Sequence, residues 1–238
     1  MINRYAWYGA ALLAALLAMA SCNSASQMAT QEDTTEAAAP DTSQILNSPN
    51  DFYAIPGEKV GNVVPQSTEA NLIEHLGAEN VRRDTIYIGE GEYRIGTTLF
   101  KGTPDEAQIL WKDTVNWARP ELVRIIPATQ PQNSQWQVQG GVHIGATLKE
   151  TERLNGKPFE LYGFGWDYGG TVVDWKGGKL TYSRNGKSYL GAIFVYEYKE
   201  AEQDLLAEKV MGDSRFMSSN PAMQQLNPHI YSLEIRFR

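Results

Sequence analysis

The chain has 238 residues, 42% hydrophobic and 21% charged, with a formal net charge of -7. These values suit one or two globular units, and the acidic balance argues against a nucleic-acid partner or an anionic lipid face. The one cysteine, Cys22, excludes an internal disulfide framework and a cysteine-built zinc site.

Residues 1–21 read as an export signal. Arg4 supplies a positive start, and residues 6–20, AWYGAALLAALLAMA, form an apolar run. A membrane span needs about 20 apolar residues, so this run is too short to be one. It closes in LAMASC, which resembles a bacterial lipoprotein signal box, with Met19 where a leucine is usual and small Ala20 and Ser21 before Cys22. Cys22 is therefore the expected lipidation site and mature N-terminus, holding the protein on a membrane of the bacterial envelope, the outer membrane by expectation. Residues 22–50 follow as a tether rich in Ala, Ser, Thr and Gln, with no Lys or Arg and no hydrophobic period. Such a segment lacks the apolar surface to fold, and its mean reach is on the order of 30 Å.

The folded part begins near Asp51 and divides into two α+β repeats, residues 51–139 and 140–238. Two segments carry the division: VGNVVPQSTEANLIEHLGAENV at 60–81 and VHIGATLKETERLNGKPFEL at 142–161. Each reads as a short strand, a Ser or Thr cap, a helix of about two turns, a glycine and a strand. Ser67 or Thr68 caps the first helix and Thr147 the second, with Gly77 and Gly156 at the helix ends. Helices this short are not stable alone and must lie on a sheet. In the first repeat, strands are expected over about 81–88, 97–101, 107–112, 121–126 and 135–139.

In the second repeat, glycine turns recur: GG at 169–170, GG at 177–178 and NG at 185–186. Between hydrophobic runs these predict two-residue hairpins and a four-strand meander over about 159–168, 171–176, 179–184 and 187–198. The register would set Trp166 opposite Val173, Phe164 opposite Trp175, Trp175 opposite Leu180 and Tyr182 opposite Tyr189. Strand parity would then gather Tyr162, Phe164, Trp166, Tyr168 and Trp175 on one aromatic face, with Asp167 on the other. That face serves either as core or as an exposed platform for a protein or a glycan. Its candidate binding residues are Tyr162, Phe164, Trp166, Asp167, Tyr168 and Trp175. Beyond the meander a helix is expected over 200–211, then a loop with Pro221 and Pro228. A last strand, HIYSLEIRFR, should set Tyr231, Leu233, Ile235 and Phe237 on one face.

The pattern IGATLKETERLNGKPF, with Ile144, Gly145, Thr147, Leu148, Gly156 and Pro158, resembles the fold of β-lactamase inhibitor protein and of the small lipoprotein of the outer-membrane barrel-assembly machinery. The stretch from LIEHLGAENV to LNPHIY is similar to a family of exported bacterial lipoproteins with no assigned activity. The resemblance implies short helices packed on antiparallel meanders in tandem, and a module that binds a protein as an assembly factor or inhibitor.

No spacing in the chain demands catalysis. His75, His143 and His229 are scattered without metal-ligand spacing, no nucleophile elbow occurs, and GEGEYRIG has glycines but neither the Lys-Ser/Thr nor the helix of a phosphate loop. Asp113, Asp167 and Asp174 lie near tryptophans in sequence, which alone makes no acid–base pair. The sequence therefore predicts a non-catalytic, membrane-anchored protein-binding module without metal or cofactor, with glycan binding or glycan chemistry as the alternative.

Overall fold

A computed structural model describes residues 50–184, 187–197 and 205–237; the expected export signal, Cys22 and all but the last residue of the tether lie outside them. In chain order come β1 (Tyr53–Ile55), β2 (Lys59–Val60), α1 (Glu69–Leu76), β3 (Val81–Gly89), β4 (Glu92–Leu99), β5 (Ala107–Asp113), β6 (Ala118–Ile125), β7 (Gln137–Val138) and β8 (Val142–His143). After them come α2 (Leu148–Asn155), β9 (Glu160–Tyr162), β10 (Val172–Asp174), β11 (Ser183–Arg184), β12 (Lys187–Ser188), β13 (Leu190–Val195), β14 (Arg215–Met217), α3 (Pro221–Leu226) and β15 (His229–Arg236). The fold class is α+β, with mostly antiparallel sheets and a few short helices.

The main sheet has six strands in the order β13-β15-β6-β5-β4-β3. Its first four strands in sequence precede residue 140 and its last two follow it, so one sheet draws on both halves of the folded chain. Alternation builds its inner face: Ile109, Trp111, Val123, Ile125, Leu233 and Ile235 are all fully buried. They share one contiguous core with Leu72 and Leu76 of α1, Leu148 of α2, and Phe159 and Trp175. The β3–β4 hairpin turns at Glu90 and Gly91, both with positive φ, which gives a twist that suits a tight hairpin. Gly96 lies inside β4, and a Cβ there would stand 2.4 Å from the Ile109 carbonyl oxygen. Such close backbone approach marks the place where a sheet bends.

The helix starts follow the sequence closely. The Thr68 hydroxyl accepts from the Asn71 N–H at the head of α1, and the Thr147 hydroxyl accepts from the Glu150 N–H at the head of α2. Gly156 ends α2 in the left-handed conformation. The two helices dock alike. The Glu69 N–H donates to the Trp117 carbonyl just before β6, and the Leu148 N–H donates to the Pro228 carbonyl just before β15.

The meander does not form as a single sheet. β9 pairs with β10 and β14, β11 pairs only with β12, and β13 joins the six-stranded sheet. Gly169–Gly170 is not a two-residue hairpin, so Trp166 does not face Val173 and Phe164 does not face Trp175; Leu161 takes Val172 as its partner. Residues 163–170 instead form a wedged loop. A Cβ on Gly163 would lie 2.6 Å from the Val210 carbonyl oxygen, and one on Gly170 would lie 2.0 Å from that of Phe194. These glycines serve close backbone approach to neighbouring segments, and the turn itself runs over Trp166–Gly169.

The next turn is displaced by one residue. Its positive-φ pair is Lys176 and Gly177, so Gly178, not Leu180, bonds back to Trp175. Asn155 then captures the backbone of Lys179 and Leu180 at the end of α2. The third hairpin keeps the expected register. Arg184 pairs with Lys187, and the Tyr189 N–H donates to the Tyr182 carbonyl over 2.6 Å.

Two further differences have local causes. The helix expected over 200–211 falls partly outside the described residues; of those described, 205–207 are helical as expected and Glu208–Val210 is a 3-10 turn. Within the expected loop, Asn220 caps α3 with Pro221 in its first turn, a strong start signal. On β15 the pairing with β13 shifts between Ile193 and Phe194. Ile230 thus takes the buried place expected for Tyr231, while Leu233, Ile235 and Phe237 stay inside.

Candidate functional site

The six sequence-predicted binding residues divide into three groups. Phe164 and Trp175 are core: each is buried, and the Trp175 indole donates to the Leu190 carbonyl at 2.9 Å. Tyr162 and Trp166 are half-buried, and Tyr168 is exposed at the loop surface. Trp166 meets Tyr162 and Tyr168 edge-on, with ring centroids 5.2 Å apart in both cases. Trp166 and Trp175 therefore offer no pair of parallel exposed indoles, and the single aromatic face is replaced by a ladder of rings that mostly contact one another.

Asp167 has a defined task. Its carboxylate accepts the Tyr87 hydroxyl at 3.0 Å and the Glu90 N–H at 2.6 Å, fastening the 163–170 loop to the β3–β4 hairpin. The loop's other side is bound to β13 through the Phe194 N–H and the Gly170 carbonyl. The two ends of the six-stranded sheet are thus joined through this loop. The sheet also curls between them. Arg124 on β6 donates to the Tyr87 carbonyl on β3 at 2.8 Å. Three strand spacings in a flat sheet would be roughly 14 Å, farther than an arginine extends.

The curl encloses a cleft of about 520 Å³ on the outer sheet face, opposite the core. Leu110 and Leu122 form a small apolar floor with Ile86 and Ile88. Around it stand ion pairs set by strand register. Arg124 and Glu234 are direct cross-strand partners, with Arg124 Nε to Glu234 Oε1 at 3.0 Å. Arg236 lies 3.6 Å from the same carboxylate, and Arg94 pairs with Glu121 at 3.1 Å. Tyr168 and Tyr231 border the cleft; loss of hydration pushes both phenols above their ordinary range, with the nearby Glu90 and Asp167 charges adding to the shift at Tyr168. Both stay neutral hydroxyls at physiological pH.

A second cleft of about 610 Å³ adjoins the first, sharing Thr171, Glu234 and Arg236 as its wall. Lys176 bonds Glu160 at 3.1 Å there and lies 3.4 Å from Asp174, while Arg215 lies 3.8 Å from Glu160.

Of the charged residues of this groove the sequence reading named Asp167 and Asp174; the ion-paired Arg94, Glu121, Arg124, Glu160, Glu234 and Arg236 were not singled out, although their signal is present. In ELVRI and SLEIRFR, Arg124, Glu234 and Arg236 alternate with core residues and so belong to the opposite face. That β15 pairs with β6, across more than one hundred residues, is not written in either segment.

The second exposed feature is the tip of the β3–β4 hairpin. Tyr87 and Tyr93 are cross-strand partners with ring centroids 5.3 Å apart, and Thr85 faces Ile95 beside them. This row continues the core face beyond the core: Tyr93 is 62%, Ile95 48% and Tyr87 43% exposed. Among the described residues no group of His, Cys, Asp and Glu could hold a metal ion, and no helix is long and apolar enough to cross a membrane. No family model, curated protein or solved structure matches the chain.

Proposed function

We propose that the chain is a lipid-anchored binding module of the bacterial cell envelope that docks a protein partner through the tip of the β3–β4 hairpin and performs no chemistry of its own. The observation that carries the docking is the exposure of Tyr87, Tyr93 and Ile95 together on one rigid hairpin. Tyrosine is a common interface anchor because its large ring is held by few rotatable bonds. The export signal and the lone Cys22 support the anchor, and the tether gives the folded part freedom to meet a partner near the membrane. The tandem-unit reading belongs to the same proposal. It is supported by the two threonine-capped helices, each bound at its first turn to the backbone before a strand of the main sheet. An assembly factor or an inhibitor of an envelope enzyme would need no more than such a surface.

A photo-crosslinking residue at Tyr93 in the full chain, used in intact cells, tests the reading. A discrete adduct that disappears with Ile95→Asp is expected. The same adduct with and without Ile95→Asp, or none at all, overturns the docking surface. Membrane fractionation of Cys22→Ser tests the anchor: release is expected, and retention equal to wild type contradicts it.

A further inference from the structure

We infer that the double groove, which runs from the outer face of the six-stranded sheet into the space between β13 and the β10-β9-β14 sheet, is a binding site for a neutral oligosaccharide. Of the hairpin's docking residues Tyr87 also lines the first chamber, whereas Tyr93 and Ile95 do not, and the site does not depend on the docking reading. Its two chambers, about 520 and 610 Å³, each fall in the range of roughly 300–1,000 Å³ that encloses a small ligand. They share a wall at Glu234 and Arg236, so a linear ligand of more than one unit can span both.

The charge pattern selects the ligand class. In the first chamber Arg94 is matched by Glu121, and Arg124 and Arg236 converge on Glu234. In the second, Lys176 and Arg215 converge on Glu160, with Asp174 beside Lys176. Every cation named has an anion within 4 Å. Once Asp167 of the first chamber is counted, the two linings hold Arg94, Arg124, Arg236, Lys176 and Arg215 against Glu121, Asp167, Glu234, Glu160 and Asp174, so no excess of either sign awaits an ionic ligand. An apolar ligand would strip water from these pairs without replacing its hydrogen bonds, which is costly. A polyol suits them. Paired carboxylates and guanidiniums keep spare acceptor and donor positions in fixed directions, and a hydroxyl both donates and accepts.

The remaining walls agree. Tyr168 and Tyr231 add ring surface and neutral hydroxyls, and Leu110 and Leu122 give an apolar patch for the C–H faces of a sugar ring. A peptide is disfavoured because extended peptides bind by main-chain pairing at a free strand edge. The floor of the first chamber is a sheet face, and the β13 edge beside it is bonded at Phe194 to Gly170; the second chamber runs between the β10 and β13 edges, which the Thr171–Ile193 bridge joins.

The test uses the full chain in detergent. Maltohexaose, cellohexaose, laminarihexaose and chitohexaose are titrated by calorimetry and by saturation-transfer NMR, beside an anionic oligogalacturonate and a cationic chitosan hexamer. At least one neutral hexamer is expected to bind with a Kd below about 1 mM. Arg236→Ala and Tyr231→Phe should each weaken it about fivefold or more, with unchanged melting curves. Tyr93→Ala should not affect it, which separates this site from the hairpin surface. The inference is overturned if no neutral hexamer binds, if only a charged oligomer binds, or if binding survives both groove substitutions intact.

Discussion

On β15, neighbouring residues live in opposite surroundings. Leu233 and Ile235 are fully buried against Ile125 and Val123, whereas Glu234 and Arg236 point the other way into the groove. The same division runs along β5 and β6, where Ile109 and Val123 lie inside and Gln108 and Arg124 outside. A sheet used only as a wall would leave its outer face as scattered solvated charge. Here the outer charges are paired across strands and enclosed by the curl and by the Asp167 fastening. The inner face holds the fold together, and the outer face holds a pre-formed polar surface.

The largest effect expected from breaking this division is on the inner side. Trp111 is fully buried, and its indole donates to the Thr97 hydroxyl at 2.8 Å. Trp111→Ala should cost about 3–5 kcal/mol in urea unfolding; a loss near zero would place Trp111 outside the cooperative core. Next comes Glu69, whose carboxylate accepts from Arg83 at 2.7 Å and from Thr97 at 2.7 Å, tying α1 to the sheet. Glu69→Ala should cost about 1–3 kcal/mol, the scale of an unpaired buried group, with the half-exposed Arg83 free to rehydrate. On the hairpin tip, Tyr93→Ala should change stability by less than about 0.5 kcal/mol. A larger loss would make the tip structural and remove the ground for a docking role.

The smallest effect is on acid sensitivity of the outer face. Asp84 is held below the usual carboxylate range by its hydrogen bond from Lys101, and Asp174 by the Lys176 N–H. A carboxyl whose folded pKa is depressed gives its full stabilisation above its unfolded value, near 3.9, and loses it as pH falls through the folded value. Asp84→Asn should therefore flatten the decline in stability below about pH 4 and leave neutral stability little changed. An unaltered acid limb would show that the Asp84–Lys101 pair is not formed in solution.

The legibility of these regions follows their physics. Caps were readable because they are local: Thr68 and Thr147 bond to N–H groups three residues away. The Asn-Gly register was readable for the same reason. Gly169–Gly170 carries an equally strong hairpin signal, yet Gly170 sits where its backbone meets that of Phe194, a contact invisible to any local window. The groove was half legible. Alternation placed Arg124 and Glu234 on an outer face, but only the union of β6 with β15 made them partners.

The claim that one face carries stability and the other binding is tested most directly by a single pair of adjacent substitutions on β15. Ile235→Ala and Arg236→Ala are measured together for unfolding free energy and for oligosaccharide affinity. Ile235 is fully buried, while the Arg236 side chain is 47% exposed. Ile235→Ala should cost about 2–5 kcal/mol with affinity retained in the folded fraction. Arg236→Ala should cost less than about 1 kcal/mol and still weaken binding. Equal destabilisation by both, with affinity unmoved by Arg236→Ala, would contradict the account and make the groove charges part of the scaffold alone.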